Sequence, residues 1–222
     1  MIFNSNYIET FRKKRKKETL IFFIIFYIVG IFGILVPATF SIFLKLIPLA
    51  LLLSFIALVL FYQVQFTNKA GLVFVSIFII GFVVEMLGVN TKLIFGDYQY
   101  GNSLGLKIFK TPLIIGINWL LLVYVTSSIL ENIKIHNIFK VVLASLIMVL
   151  YDVVLEQVAP KLDMWNWNTR AIPFQNYLAW LIIALCFHSI IKLFRVNTQN
   201  YLASIILVCQ FLFFLVLLIC LK

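Results

Sequence analysis

Residues 151–180 read YDVVLEQVAPKLDMWNWNTRAIPFQNYLAW, and the changes of phase within this stretch set the reading of the whole chain. Up to Val158 the stretch closes a long apolar run in which Asp152 and Glu156 stand four apart, and so share one face of a helix. From Ala159-Pro160 it crosses a short loop holding Asp163, Trp165 and Trp167. After Pro173 a second apolar run begins and carries Asn176, Tyr177 and Trp180. Acids inside a membrane helix are costly and rarely lie idle, so function is sought here.

Composition outside this stretch fixes the class. Apolar residues make up 64% of the 222, the mean hydropathy is +1.10, and runs of membrane-spanning length recur. The runs are continuous rather than alternating, which selects helices over the strands of a barrel. The sequence predicts an all-α, polytopic membrane helix bundle with seven transmembrane helices, near 19–36, 43–63, 71–89, 112–130, 138–158, 174–194 and 201–221. Residues 1–18 read as a basic cytoplasmic arm and 19–222 as one seven-helix domain. The first run is too long and too aromatic for a cleaved signal, so it reads as a retained helix. Pro37, Pro48, Pro112, Pro160 and Pro173 fall mostly at or near span ends, where proline disturbs a helix least.

The net charge of +10 is unevenly spread, and this excludes a nucleic-acid partner. Six of the 18 basic residues form the block Arg12–Lys17, directly before the first apolar run. Such a block orients a membrane protein and docks on anionic lipid. Placing it inside gives N-in, C-out topology, with Lys69, Lys134, Lys140, Lys192 and Arg195 on the inner face. The outer face then takes Lys45, Lys92, Lys107, Lys110, Lys161, Arg170 and Lys222. The expected location is the inner (plasma) membrane, multi-pass, with membrane lipids as partners. Cys186, Cys209 and Cys220 are scattered singly, so neither a disulfide framework nor a zinc site is indicated. No metal site, phosphate loop or nucleophilic triad is spelled out, and His136 and His188 read as structural.

Two loops, 90–111 and 159–173, are rich in aromatics, glycine and amides, and with seven spans both fall on one face. Each follows a span ending in acid, Glu85 in one case and Asp152 with Glu156 in the other. Each leads to a proline and then to an amide and a tryptophan, Asn118 and Trp119 or Asn176 and Trp180. This echo suggests a parallel two-helix repeat with unequal spacings. At 1.5 Å per residue, Glu85 lies about 6 Å below the loop-side end of its span and Asp152 about 10 Å. Three carboxyls and two amides therefore share one slab under the two loops. Taken singly each has a plainer reading: Asn118 and Asn176 as interhelical glue, Glu156 as a snorkelling acid, and Tyr98, Tyr100, Trp165 and Trp167 as an interfacial belt. Co-location carries the functional reading.

At these residues the sequence resembles a known family. The run EMLGVNTKLIFGDYQYGNSLGLKIFKTPLIIGINWLL (Glu85–Leu121) and the run YDVVLEQVAPKLDMWNW followed by IPFQNYLAW are similar to the two signature regions of membrane carotenoid biosynthesis proteins of the CruF type. The resemblance spans roughly residues 70–195. It implies a carotenoid substrate and hydration of a terminal C1=C2 double bond without a cofactor.

Such a reaction needs a proton for C2, a tertiary cation tolerated at C1, and a water placed on that carbon. A buried carboxylic acid resists ionisation and can serve as the acid. Aromatic faces steady a desolvated cation without attacking it. On this reading Asp152 is the proton donor, with Glu85 and Glu156 as partners in acid/base work, and the roles of Asp152 and Glu85 open to exchange. Asn118, Trp119, Tyr98, Tyr100, Trp165, Trp167, Asn176, Tyr177 and Trp180 form the substrate-binding set. The alternatives are another end-group reaction, such as cyclisation, and a seven-helix transporter using the same acids. A retinal photoreceptor is disfavoured because Tyr201–Leu221 has no lysine for a Schiff base.

Overall fold

Apolar side chains on every face leave these segments no stable state but helix packed on helix, and seven such helices form among the described residues. A computed structural model describes residues 5–169 and 171–221. The helices are α1 (Ser5–Leu35), α2 (Pro37–Leu60), α3 (Asn68–Thr91), α4 (Ile114–Glu131), α5 (Asn137–Val158), α6 (Phe174–Leu193) and α7 (Ala203–Cys220). All seven are long and apolar enough to cross a membrane.

The differences from expectation have local causes. The basic block is part of α1. Arg12 Nε donates to the Leu60 carbonyl at the end of α2 at 2.7 Å, and the Lys16 ammonium sits 4.2 Å from the Tyr201 ring centre. Residues 1–4, Arg170 and Lys222 lie outside the described residues, so the places assigned to the first four residues and to those two cations are not seen. α2 starts at Pro37, well before residue 43, because only Val36 separates it from α1 and proline is favoured in a first turn. Pro48 then falls in the middle of α2 and not near an end.

α4 is the axis of the bundle. Of its most apolar window 78% is buried, against at most 39% for the other six, and it packs against α2, α3, α5, α6 and α7. The outer helices turn large apolar residues such as Phe32, Leu72 and Ile182 outward, as a lipid-facing surface requires.

One end of the bundle is knitted by polar ties. Tyr62 Oη donates to Asn197 O at 2.8 Å, Asn200 Nδ2 to Leu58 O at 2.7 Å, and Lys192 pairs with Glu131 at 2.7 Å. The opposite end carries the two aromatic loops, which hold short strands that the continuous apolar runs gave no hint of. β1 (Tyr98–Tyr100) pairs antiparallel with β4 (Trp165–Trp167), and β2 (Lys107–Ile108) pairs with β3 (Thr111–Pro112). The loops are also stitched beside the strands. Gly101 N–H donates to Met164 O at 2.9 Å, Ser103 N–H to Asp163 O at 3.1 Å, and Asn102 N–H to Asp163 Oδ2 at 2.9 Å. Lys92 and Asn168 both donate to Asp97, and together they hold its carboxyl below the usual range.

Gly101 sits where a Cβ would run into the carbonyl and side-chain oxygens of Asp163. A backbone oxygen cannot swing aside, so Gly101→Ala should part the two loops and cost about 1–3 kcal/mol. A lowered thermal unfolding temperature of the detergent-solubilised protein is the expected readout, and an unchanged one contradicts this account of the cap.

Candidate active site

Period-two alternation in the two strands decides what faces the helices. Tyr98 stands opposite Trp167, Gln99 opposite Asn166, and Tyr100 opposite Trp165. The four aromatic side chains thus share the face turned into the bundle, while Gln99 and Asn166 share the other. The aromatic pairs touch across the ladder, with ring centres 5.2 Å apart for Tyr98 and Trp167 and 6.1 Å for Tyr100 and Trp165.

Each strand is matched to one glutamate. Tyr98 and Tyr100 both donate their hydroxyls to Glu85 Oε2, each at 2.7 Å, and Trp119 Nε1 donates to Glu85 Oε1 at 3.0 Å. Trp165 and Trp167 donate their indole N–H groups to Glu156 Oε2 at 3.0 and 2.7 Å, and Asn176 Nδ2 donates to Glu156 Oε1 at 3.0 Å. Both glutamates are buried. Burial, reinforced by the neighbouring Glu85 carboxyl, pushes the Tyr98 and Tyr100 phenols far above their ordinary range, so both stay protonated and donate. An indole N–H can only donate. The donors to these carboxyls are all neutral among the described residues.

A carboxyl group offers four acceptor positions, two on each oxygen. Three are filled on Glu85 and three on Glu156, and in each case the position left over is on Oε1. Each glutamate can therefore gain or give up a proton at one defined place without losing a hydrogen bond.

Asn176 serves two carboxyls at once. Its second N–H goes to Asp152 Oδ2 at 3.1 Å. Asp152 is fully buried, and its Oδ1 has no partner among the described residues.

A small cavity opens between the cap and the helices, lined by Glu85, Phe95, Tyr98, Tyr100, Ile115, Asn118, Glu156, Trp165, Trp167, Asn176 and Trp180. The structure brings together nearly all the residues that the sequence singles out. Three stand back from the wall. Asp152 lies one hydrogen bond behind it through Asn176, instead of on the cavity as a proton donor would. Trp119 donates to Glu85 from behind and stacks on Trp180, ring centres 4.2 Å apart and 24° between planes. Tyr177 is half-buried and does not line the cavity. Phe95 and Ile115 were not anticipated, since nothing separates Phe95 from the other 22 phenylalanines until the fold places it. Asn118 lines the cavity with an amide that makes no hydrogen bond to any described residue.

Comparison with known proteins shows the family. The family model described as carotenoid biosynthesis protein matches residues 46–222, which takes in the whole site. The chain belongs to the carotenoid biosynthesis protein family. For this carotenoid biosynthesis protein the match reaches beyond the motif-bearing middle of the chain, to most of α2 and all of α7. It is 26% identical over 128 residues to bisanhydrobacterioruberin hydratase of Haloarcula japonica, an overlap covering 52% of this chain and 42% of that protein. The chain thus spans less than half the length of that relative. No solved structure matches the chain.

The hydrogen-bond count separates the two asparagines. Replacing Asn176 by leucine strips a donor from two buried carboxyls and should cost about 2–4 kcal/mol. Asn118→Leu breaks no such bond and should leave stability within about 1 kcal/mol. Thermal unfolding of the two variants side by side checks this order, and the reverse order would refute the network described.

Proposed function

We propose that this protein hydrates the terminal C1=C2 double bond of an acyclic or monocyclic carotenoid by protonation and water addition, with no cofactor. The observation that supports it best is the pair of glutamates on one aromatic-walled cavity, each with three neutral donors and one open position. Chemistry that moves a proton in at one carbon and out at the neighbouring oxygen needs two such groups.

One glutamate delivers its proton to C2, and the π electrons of the double bond form the new C–H bond. The positive charge left on C1 faces Trp165, Trp167 and Trp180, whose rings stabilise a desolvated cation without bonding to it. Water, held by the unengaged amide of Asn118, bonds through oxygen to C1. The second glutamate takes its proton, leaving a tertiary alcohol. The rest of the polyene extends outside the cavity, among lipid chains or between helices. The carotenoid role is that of the family, and the match to a protein named as a hydratase favours water addition among end-group reactions.

The charge rule supports an orientation with the basic block inside. The basic end of α1 and the capped cavity lie at opposite ends of the bundle. With the basic block in the cytoplasm, the cavity lies in the outer half of the membrane. A cysteine replacing Asn166, in a chain freed of its own three, should react with a membrane-impermeant thiol reagent added to whole cells. Reaction only after lysis reverses the topology.

Expression in a strain making lycopene should give a pigment heavier by one water. Glu85→Gln and Glu156→Gln should each lower its yield about 10²–10⁴-fold with normal amounts of protein in the membrane. A product of unchanged mass would move the reaction to cyclisation, and undiminished hydration by both variants would remove the glutamates from the chemistry.

A further inference from the structure

α3 and α5 present the same ladder of positions with one rung changed. Gly81, Glu85 and Gly88 have the spacing of Asp152, Glu156 and Ala159. The returning helices match as well, because Trp119 follows Pro112 at the interval at which Trp180 follows Pro173. The two tryptophans stack on each other, and β1 meets β4 in a register centred on Gln99 and Asn166. The site is thus an approximate two-fold repeat with one glutamate from each half.

Two positions break the symmetry. Asn176 stands where the other half has Ile115, each three residues after its proline, and Asp152 stands where the other half has Gly81. Gly81 has no room for a side chain, since a Cβ there would lie 2.7 Å from Trp119 Cβ. In that half the Trp119 indole fills the space and supplies the third donor to its glutamate. In the other half Asn176 supplies the third donor, and a second carboxyl is added behind it.

The added carboxyl is poorly provided for as an anion. Asp152 is 0% exposed, receives one neutral donor on Oδ2, and has no partner for Oδ1 among the described residues. Glu85 and Glu156 each receive three donors. A buried charge with so few donors costs far more than a neutral acid in the same place. Burial alone does not distinguish the three acids, but the count of donors does.

We propose that Asp152 is the proton store of the site: it holds a carboxylic proton at rest and recharges Glu156 after each turnover, which makes Glu156 the group that protonates C2 and Glu85 the group that takes the proton from water. The use of the stored proton rests on the hydration reading above, whereas its place on Asp152 does not. The cycle balances. Glu156 gives its proton to C2, water adds to C1 and yields a proton to Glu85, and Asp152 passes its own to Glu156. Glu85 then releases one proton to water and Asp152 regains one, so that water is the net reactant. The transfer from Asp152 to Glu156 needs the Asn176 amide, bonded to both at 3.1 and 3.0 Å, to turn aside and one water to bridge the gap it leaves. The two acids stand one helical turn apart on the same face. Asp152 acts through Glu156 and is therefore a positioning residue.

Infrared spectroscopy of the full chain in lipid nanodiscs at neutral pH tests the placement. The carbonyl stretch of protonated carboxylic acids should be present, and a component of it should move when the protein carries carboxyl-labelled aspartate. That component should vanish in Asp152→Asn and persist in Glu85→Gln, while the Glu156 component moves only with labelled glutamate. A band with no component that moves with labelled aspartate, or an aspartate component that survives in Asp152→Asn, overturns the proposal. The aspartate label needs no variant, so a misfolded Asp152→Asn would not remove the test. Kinetically, Asp152→Asn keeps an oxygen for Asn176 and should lower kcat for lycopene hydration about tenfold or more with KM little changed; a wild-type kcat overturns the recharging role. If the wild type hydrates no carotenoid yet shows the aspartate band, the proton store stands and the hydration reading falls.

Discussion

Two carboxyl groups buried in an apolar bundle, with no cation beside them among the described residues, need neutral donors, and most of this architecture answers that need. Six hydrogen bonds reach Glu85 and Glu156, four of them from side chains on two strands that come from loops about 65 residues apart in sequence. Those strands cannot present their aromatic faces unless they pair, and they cannot pair unless the loops are tied beside them. Hence Asp163 accepts from Asn102 and Ser103, and Gly101 lies against its carbonyl where no side chain would fit. The cap over the cavity and the polarity beneath it are one construction.

The same groups serve two purposes. Tyrosine and tryptophan give the carboxyls their donors at the edge of the ring, and they give the cavity its π faces. A wall of lysine or arginine would satisfy the carboxylates more strongly. It would also fix their charge and offer a carbocation only repulsion. Neutral aromatic donors leave each glutamate one open position and leave the cavity hospitable to a transient cation. The stacked pair Trp119 and Trp180 joins the halves at the centre, packed on Gly81 and against Phe187.

On the reading proposed above, the repeat is made catalytic by being imperfect. A symmetrical pair of glutamates would have no means of choosing donor from acceptor. Asp152 and Asn176 on one side, with Gly81 and Ile115 on the other, give the halves unequal proton capacity. The chain's family is that of carotenoid biosynthesis proteins, and in the proposed cycle this inequality gives the proton its direction.

Seven apolar runs, their order, and the gathering of Glu85, Asp152, Glu156, Asn118 and Asn176 near one face were legible in the sequence, because span length and residue depth depend only on local helix geometry. The aromatic loops were visible as composition, but their pairing was not. A three-residue alternation such as Tyr-Gln-Tyr or Trp-Asn-Trp carries too little periodicity to announce a strand, and its partner lies across two intervening helices. For the same reason depth alone put Asp152 on the cavity. Depth along a helix is set by position in the chain, whereas which acid faces the hollow and which stands behind an asparagine is set by how α5 and α6 are rotated against each other. The sequence by itself determined a membrane bundle with a polar slab under two aromatic loops. The tertiary structure alone decided which donors meet which carboxyl, because hydrogen bonding depends on direction and on contacts between residues far apart in the chain.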